Sequence, residues 1–175
     1  ADDIGFVNAL LDVMLKGYAI DPSRVYATGY SNGGDFTYTL ACYMNQRITG
    51  IAPVSGLMWE QTMSDCNTTH PTAVMSLHGT GDSVRPYDGY DGFLVSIPAS
   101  LGFWAGKNNI IGAPTITNIS SGGLQLERHD YPAGDGGVSL KHYKVIGGQH
   151  IWFDFTDDGV NANRLIWNFL SQFTQ

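Results

Sequence analysis

The sequence predicts an α/β fold, a mostly parallel sheet with helices on both faces. Three observations carry this. Short apolar runs alternate along the chain with amphipathic segments of helical period, the pattern left when a crossover helix joins each strand to the next. Hydrophobic residues make up 43% of the chain and aromatics 12%, enough to fill a sizeable core. Turn-forming residues, among them 22 glycines, punctuate the segments. No internal repeat or linker divides the 175 residues, so one domain over 1–175 is expected.

The elements follow in order. Residues 2–15 form a helix in which Phe6, Val7, Leu10, Leu11 and Met14 recur at helical spacing and mark one buried face. Asp2 and Asp3 suit its positive N-terminal dipole. After a turn at Ile20-Asp21-Pro22-Ser23, residues 24–30 form a short buried strand. Residues 33–44 form a helix with Phe36, Leu40, Ala41 and Met44 on one face, and 48–55 a second strand. A polar loop over 57–72 holds Cys66, and 73–78 is the third strand. A loop rich in Gly, Asp and Pro runs from 79 to 92, and Pro98 fits the first turn of a helix ending near Lys107. Residues 109–122 read as loop. Residues 124–131 and 139–146 alternate polar and apolar side chains, and the glycine-rich stretch 133–137 joins them as a hairpin. A helix over 161–173, burying Leu165, Ile166, Phe169 and Leu170, closes the chain.

Composition excludes several functions. Nine Lys and Arg stand against 16 Asp and Glu, for a net charge of −7 with no basic run. Such a chain is a poor partner for nucleic acid or an anionic membrane. No apolar run reaches the roughly 18 residues needed to span a bilayer. No basic stretch followed by an apolar core opens the chain, so no signal peptide is expected in it. With two cysteines and neither an H-E-x-x-H helix nor a C-x-x-C pair, no metal and no cofactor is expected. Cys42 and Cys66 admit two readings, one disulfide across an extracellular fold or two buried thiols. A surface rich in Ser, Thr, Asn and Gly points to a secreted or periplasmic protein. Asn67-Thr68-Thr69 and Asn118-Ile119-Ser120 are sequons, relevant in a eukaryotic secretory pathway.

Gly29-Tyr30-Ser31-Asn32-Gly33 matches G-x-S-x-G. The string is weak evidence by itself, since a glycine-rich chain produces it readily, and a helix-capping serine is the plain alternative. Its context is specific: an apolar strand enters and an amphipathic helix leaves, the setting of a nucleophile elbow. A tight turn there exposes the Ser31 hydroxyl, flanking glycines leave room for strand and helix to cross, and the Asn32 amide faces a developing oxyanion. In α/β-hydrolases the acid and then the histidine follow the serine, each on a loop after a strand. Asp82, in His78-Gly79-Thr80-Gly81-Asp82, holds the acid's place, and His150, in Gly147-Gly148-Gln149-His150, the base's. Asp88, Asp91 and Asp154 are rival acids, but none directly follows a strand. His78 ends a strand and is structural, His129 and His142 are ordinary sheet residues, and His70 precedes Pro71 in a loop.

The stretches VYATGYSNGG, LHGTGDSVRPYDG and VIGGQHIWF resemble the polyhydroxybutyrate depolymerase-like esterases, related to feruloyl and acetyl xylan esterases. The resemblance covers nearly the whole chain. It implies an α/β-hydrolase fold and hydrolysis of carboxylic esters, with Ser31 as nucleophile, Asp82 as acid, His150 as base and Asn32 as one oxyanion donor. Cys42 and Cys66 sit where members often carry a disulfide. Gln149 replaces the glycine usual before the histidine, and Asp35 an apolar residue usual after the elbow. The strands that normally come first in such enzymes, and the loop supplying a second oxyanion amide, would precede Ala1. The expectation is a sheet lacking its N-terminal strands, with the strand before Ser31 as an exposed edge. Either self-association covers that edge, or the chain is a truncated form with reduced turnover.

Tyr30 and Trp152, adjoining the reactive residues, are expected to bind substrate, with Phe153, Met58, Trp59 and Tyr87 as further lining. No Lys or Arg cluster surrounds the motifs, so small-molecule or polymeric esters with short or aromatic acyl groups fit best. The function expected is a serine carboxylesterase working through an acyl-enzyme, with polyhydroxyalkanoate depolymerase or feruloyl or acetyl xylan esterase as finer alternatives. A serine peptidase of the same fold is a second reading, and an inert carbohydrate-binding or interaction module a third.

Overall fold

The computed structural model describes residues 2–175. Its centre is a six-stranded sheet. Four strands are parallel: β1 (Tyr26–Tyr30), β2 (Gly50–Val54), β3 (Ala73–Gly79) and β6 (Leu140–Val145). β5 (Leu124–Asp130) and β4 (Thr115–Ser121) add to β6 in antiparallel fashion, giving the order β1-β2-β3-β6-β5-β4. The α-helices among the described residues are α1 (Asp3–Gly17), α2 (Asn32–Tyr43), α3 (Glu60–Asp65), α4 (Ile97–Lys107) and α5 (Ala162–Leu170). A ribbon of β7 (Thr156–Asp157) and β8 (Val160–Asn161) leads into α5.

Alternation along the central strands builds two cores. Ile51 and Val74 point to one face, where Tyr38, Leu40 and Ala41 of α2 and Ile97, Leu101 and Trp104 of α4 pack. Ala52, Val54, Met75 and Leu77 point to the other, under Ile166, Phe169 and Leu170 of α5. β2 and β3 are buried throughout, as a strand covered on both faces must be. Caps fix the helix ends: Asp2 accepts from Gly5 N at 2.8 Å, and Asn161 from Arg164 N at 3.0 Å. Cys42, in the last turn of α2, is bonded to Cys66 at the end of α3. Of the two cysteine readings, the bridge is the one found.

Four local expectations change. The face of α1 that packs is Ile4, Val7 and Leu11. Phe6 and Val13 are 67% and 65% exposed, and Leu10 and Met14 are also on the surface. Only the narrow stripe of Ile4, Val7 and Leu11 packs against the core. β1, expected to be buried, alternates half-buried and exposed residues because no strand among the described residues flanks it on its outer side. Residues 57–72 contain α3 as well as loop. Residues 109–122 contain β4, whose side chains are exposed or half-buried throughout. An outer strand needs no apolar run, so periodicity could not reveal it.

Candidate active site

Ser31 sits where β1 turns into α2, with φ 55° and ψ −122°, and its N–H donates to Val54 O at 3.0 Å. That conformation is costly for a non-glycine residue and holds the hydroxyl off the end of the sheet. The crossing of β1 and α2 depends on Gly29, where a Cβ would meet the Gly33 carbonyl at 2.4 Å. Gly33 makes no such demand, since its Cβ would meet nothing within 4 Å. Of the two flanking glycines, therefore, only the first is needed for room.

Asp82 follows β3 in a loop stitched to the next loop along: Thr80 N donates to Val145 O and Gly81 N to Gly148 O, both at 2.9 Å. Its buried carboxylate is fully partnered. Oδ1 accepts from Val84 N at 2.9 Å and Arg85 N at 2.8 Å, and Oδ2 from His150 Nδ1 at 2.8 Å. His150 Nε2 then lies 2.8 Å from Ser31 Oγ. The Asp82 contact assigns the proton to Nδ1, so Nε2 accepts from the serine hydroxyl. The three side chains, from the C-terminal ends of β1, β3 and β6, form one hydrogen-bonded line able to take a proton from Oγ and steady the resulting imidazolium.

The His150 loop is held from beneath. Tyr30 Oη donates to His150 O at 2.8 Å, and Ser55 Oγ to Ile151 O at 3.0 Å. The Tyr30 ring lies 5.1 Å from the imidazole, centre to centre. Tyr30 is 37% exposed and Trp152 41%, with Trp152 Nε1 donating to Asn163 Oδ1 at 2.9 Å. Phe153 and Met58 do not line a pocket. Both are core residues with almost no exposure, on opposite faces of the sheet. Tyr87 turns inward, its hydroxyl donating to His142 Nε2 at 2.9 Å. Trp59 does border open space, a groove of about 610 Å³ beside the elbow that Asn32, Gly33, Phe36 and Arg85 also line.

The remaining histidines make no hydrogen bond within the Ser31–His150–Asp82 line, although His78 Nε2 comes within 3.7 Å of Asp82 Oδ2. His78 Nε2–H donates to Arg85 O at 2.7 Å, and burial pushes its pKa down, so it serves the acid loop as a neutral prop. His142 is buried and neutral: Nδ1–H donates to Ser76 O at 3.1 Å, and burial, aided by nearby His129, pulls its pKa down to about 3. His129 pairs with Glu127 at 3.0 Å. His70 lines a separate cavity of about 360 Å³ near the start of β2. Asp88, Asp91 and Asp154 make no hydrogen bond to His150, whose Nδ1 is taken by Asp82.

Arg85 is the residue that motif reading missed. Its guanidinium donates to the buried Asp35 carboxylate, Nε at 3.0 Å and Nη2 at 2.9 Å, and Nη2 also donates to Asn32 Oδ1. Asp35 further accepts from Leu57 N at 2.8 Å. The signal was present: an aspartate on the core-facing side of α2 requires a cation or several donors. The Asn32 N–H, in the first turn of α2, has no acceptor within the helix and is free to meet an anion.

No family model matches the chain. In sequence it is 29% identical over 98% of its length to a bifunctional acetylxylan esterase/xylanase of Neocallimastix patriciarum, covering 24% of that protein. It is 27% identical over 86% of its length to a putative esterase of Nocardia uniformis, covering 48%, and 30% identical over 69% to a probable feruloyl esterase C of Aspergillus clavatus, covering 42%. The chain thus spans between a quarter and a half of these relatives. In structure it matches a thermostable esterase with a TM-score of 0.60 at 14% identity, over 100% of this chain and 38% of the other. Esterase PE8 matches with 0.54 at 17%, over 95% and 58%. The chain has the α/β-hydrolase fold of solved esterases, and its sequence is similar to those of proteins named acetylxylan and feruloyl esterases.

Proposed function

We propose that this chain carries the reactive centre of a serine carboxylesterase that hydrolyses short or aromatic acyl esters, the acetyl- and feruloyl-type substrates named for its relatives. The observation that carries this is the line Ser31 Oγ, His150 Nε2, His150 Nδ1 and Asp82 Oδ2, with 2.8 Å at each hydrogen bond. Ser31 Oγ attacks the ester carbonyl carbon as His150 takes its proton. The carbonyl oxygen becomes an oxyanion, received by the Asn32 N–H. Collapse breaks the C–O bond to the alcohol, which leaves with the proton from His150. Water then attacks the acyl-enzyme by the same route, releasing the acid and restoring Ser31. Asp82, fully hydrogen-bonded, fixes the tautomer and orientation of the imidazole.

A fluorophosphonate probe and an ester panel test this reading. Expected are one adduct on Ser31, hydrolysis of acetyl, butyryl or feruloyl esters, and loss of both in Ser31→Ala. Peptide cleavage without ester turnover would select the peptidase reading, and no adduct at all the inert module.

Two further features belong to the same reading. The Cys42–Cys66 bond supports residence in an oxidising compartment, outside the cell or in the periplasm. The open margin of β1, together with exposed Phe6, Leu10 and Val13 on α1, supports self-association through that side. Sedimentation of the isolated chain above its 19.0 kDa mass is expected, and a fully active monodisperse monomer would contradict it.

A further inference from the structure

We propose that Arg85 is a positioning residue that clamps the acid loop to the first turn of α2 and so sets the place of the Asn32 oxyanion amide. The inference rests on Ser31 being the reacting hydroxyl. Arg85 engages the site through both its main chain and its guanidinium, with Nη1 alone turned back to Val84 O at 3.3 Å. Its main-chain N–H holds Asp82 Oδ1 at 2.8 Å, and its carbonyl accepts from His78 at 2.7 Å. Its guanidinium crosses to α2, gripping Asp35 through Nε and Nη2 and Asn32 through Nη2. One residue therefore touches the carboxylate that steadies the imidazole and both polar side chains of the turn that presents the amide.

The ion pair itself is largely shielded, with side-chain exposures of 16% for Arg85 and 3% for Asp35. A shielded ion pair adds little stability over a well-packed apolar pair, because desolvation offsets the attraction. What it does supply is directional hydrogen bonding, fixed by the planar fork of the guanidinium. Oxyanion donors are sensitive to placement, and a shift of about 1 Å costs on the order of a hundredfold in rate. Asp35 belongs to this device. Its carboxylate, fixed by Leu57 N at 2.8 Å, gives the guanidinium an anchor from which to reach Asn32.

The test compares kcat and KM for p-nitrophenyl acetate in wild type, Arg85→Lys, and the double variant Arg85→Met with Asp35→Asn. The double variant removes both charges and leaves a carboxamide oxygen to accept from Leu57 N. Loss of the clamp is expected to lower kcat about 10- to 100-fold while KM moves less than about threefold. Fluorophosphonate labelling of Ser31 should slow in parallel. Arg85→Lys keeps a cation beside Asp35 but loses the planar fork that holds Asp35 through Nε and Nη2 at once and so directs Nη2 to Asn32, so it should fold like wild type yet share the kcat loss. Wild-type kcat in a folded double variant, or full kcat in Arg85→Lys, overturns the proposal. If the double variant does not fold, Arg85→Lys decides alone. Failure of the wild type to label at Ser31 would instead defeat the underlying reading, which separates the two failures.

Discussion

Gly79 and Gly148 meet backbone to backbone: a Cβ on Gly79 would lie 2.1 Å from the Gly148 carbonyl oxygen. This contact, reinforced by Gly81 N donating to Gly148 O at 2.9 Å, fastens the loop that carries Asp82 to the loop that carries His150. The neighbour is main chain rather than a flexible side chain, so a larger residue must push the two loops apart.

Gly79→Ala should therefore lower stability by about 1–3 kcal/mol and reduce ester hydrolysis as well. Gly33→Ala is the matched control. Its Cβ meets nothing within 4 Å, and alanine favours a helix over glycine by about 0.5–1 kcal/mol. Urea unfolding of both variants should separate them, and equal midpoints would contradict the close approach.

Asp82→Asn tests the carboxylate without removing its shape. The amide oxygen can still accept from Val84 N and Arg85 N, so the fold should persist. The amide cannot stabilise an imidazolium and favours the wrong histidine tautomer. A kcat loss on the order of 10⁴-fold is expected, checked with a nitrophenyl ester. Near-native turnover would assign the acid elsewhere.

The buried histidines predict loss of stability in mild acid. Burial pulls the pKa of His142 down to about 3 and lowers that of His78. In the unfolded chain both return to about 6.5. The unfolded state then binds more protons, so stability is present above pH ~6.5 and is lost as pH falls from there toward ~3. The slope contributed by His142 approaches about 1.4 kcal/mol per pH unit. Urea midpoints between pH 7.5 and 5 should fall, and less so in His142→Asn. A flat profile would contradict the neutral burial of His142.

Replacing Cys42 and Cys66 together by serine frees a loop of sequence separation 24. A destabilisation of about 3 kcal/mol is expected from the regained freedom of the unfolded chain, read from the urea midpoint. The bridge lies at the far end of α2 from Ser31, so turnover of the folded fraction should stay within about twofold.

The meeting of Ser31, Asp82 and His150 was legible because the motif orders these residue types along the chain and each sits just after a strand that its own apolar run announces. Arg85 was not, because its value lies in meeting Asp35 from 50 positions away, and no local pattern encodes that meeting. Periodicity found α2, α5 and the β5–β6 hairpin, whose apolar positions face a core. It misjudged α1, where Phe6, Leu10 and Met14 have the helical spacing of a buried face but lie on the surface. It missed β4, which keeps its place by main-chain pairing to β5.

The hydroxyl of Ser31 and the ring of His150 are separated by 119 positions, and β2 and β3 must already lie between β1 and β6 before the two can touch. On the proposed reading, ester turnover thus depends on a contact between residues far apart in the chain, of the kind that costs much loop closure to form. In a refolding experiment, recovery of activity would mark completion of the central sheet, later than any signal from the helices.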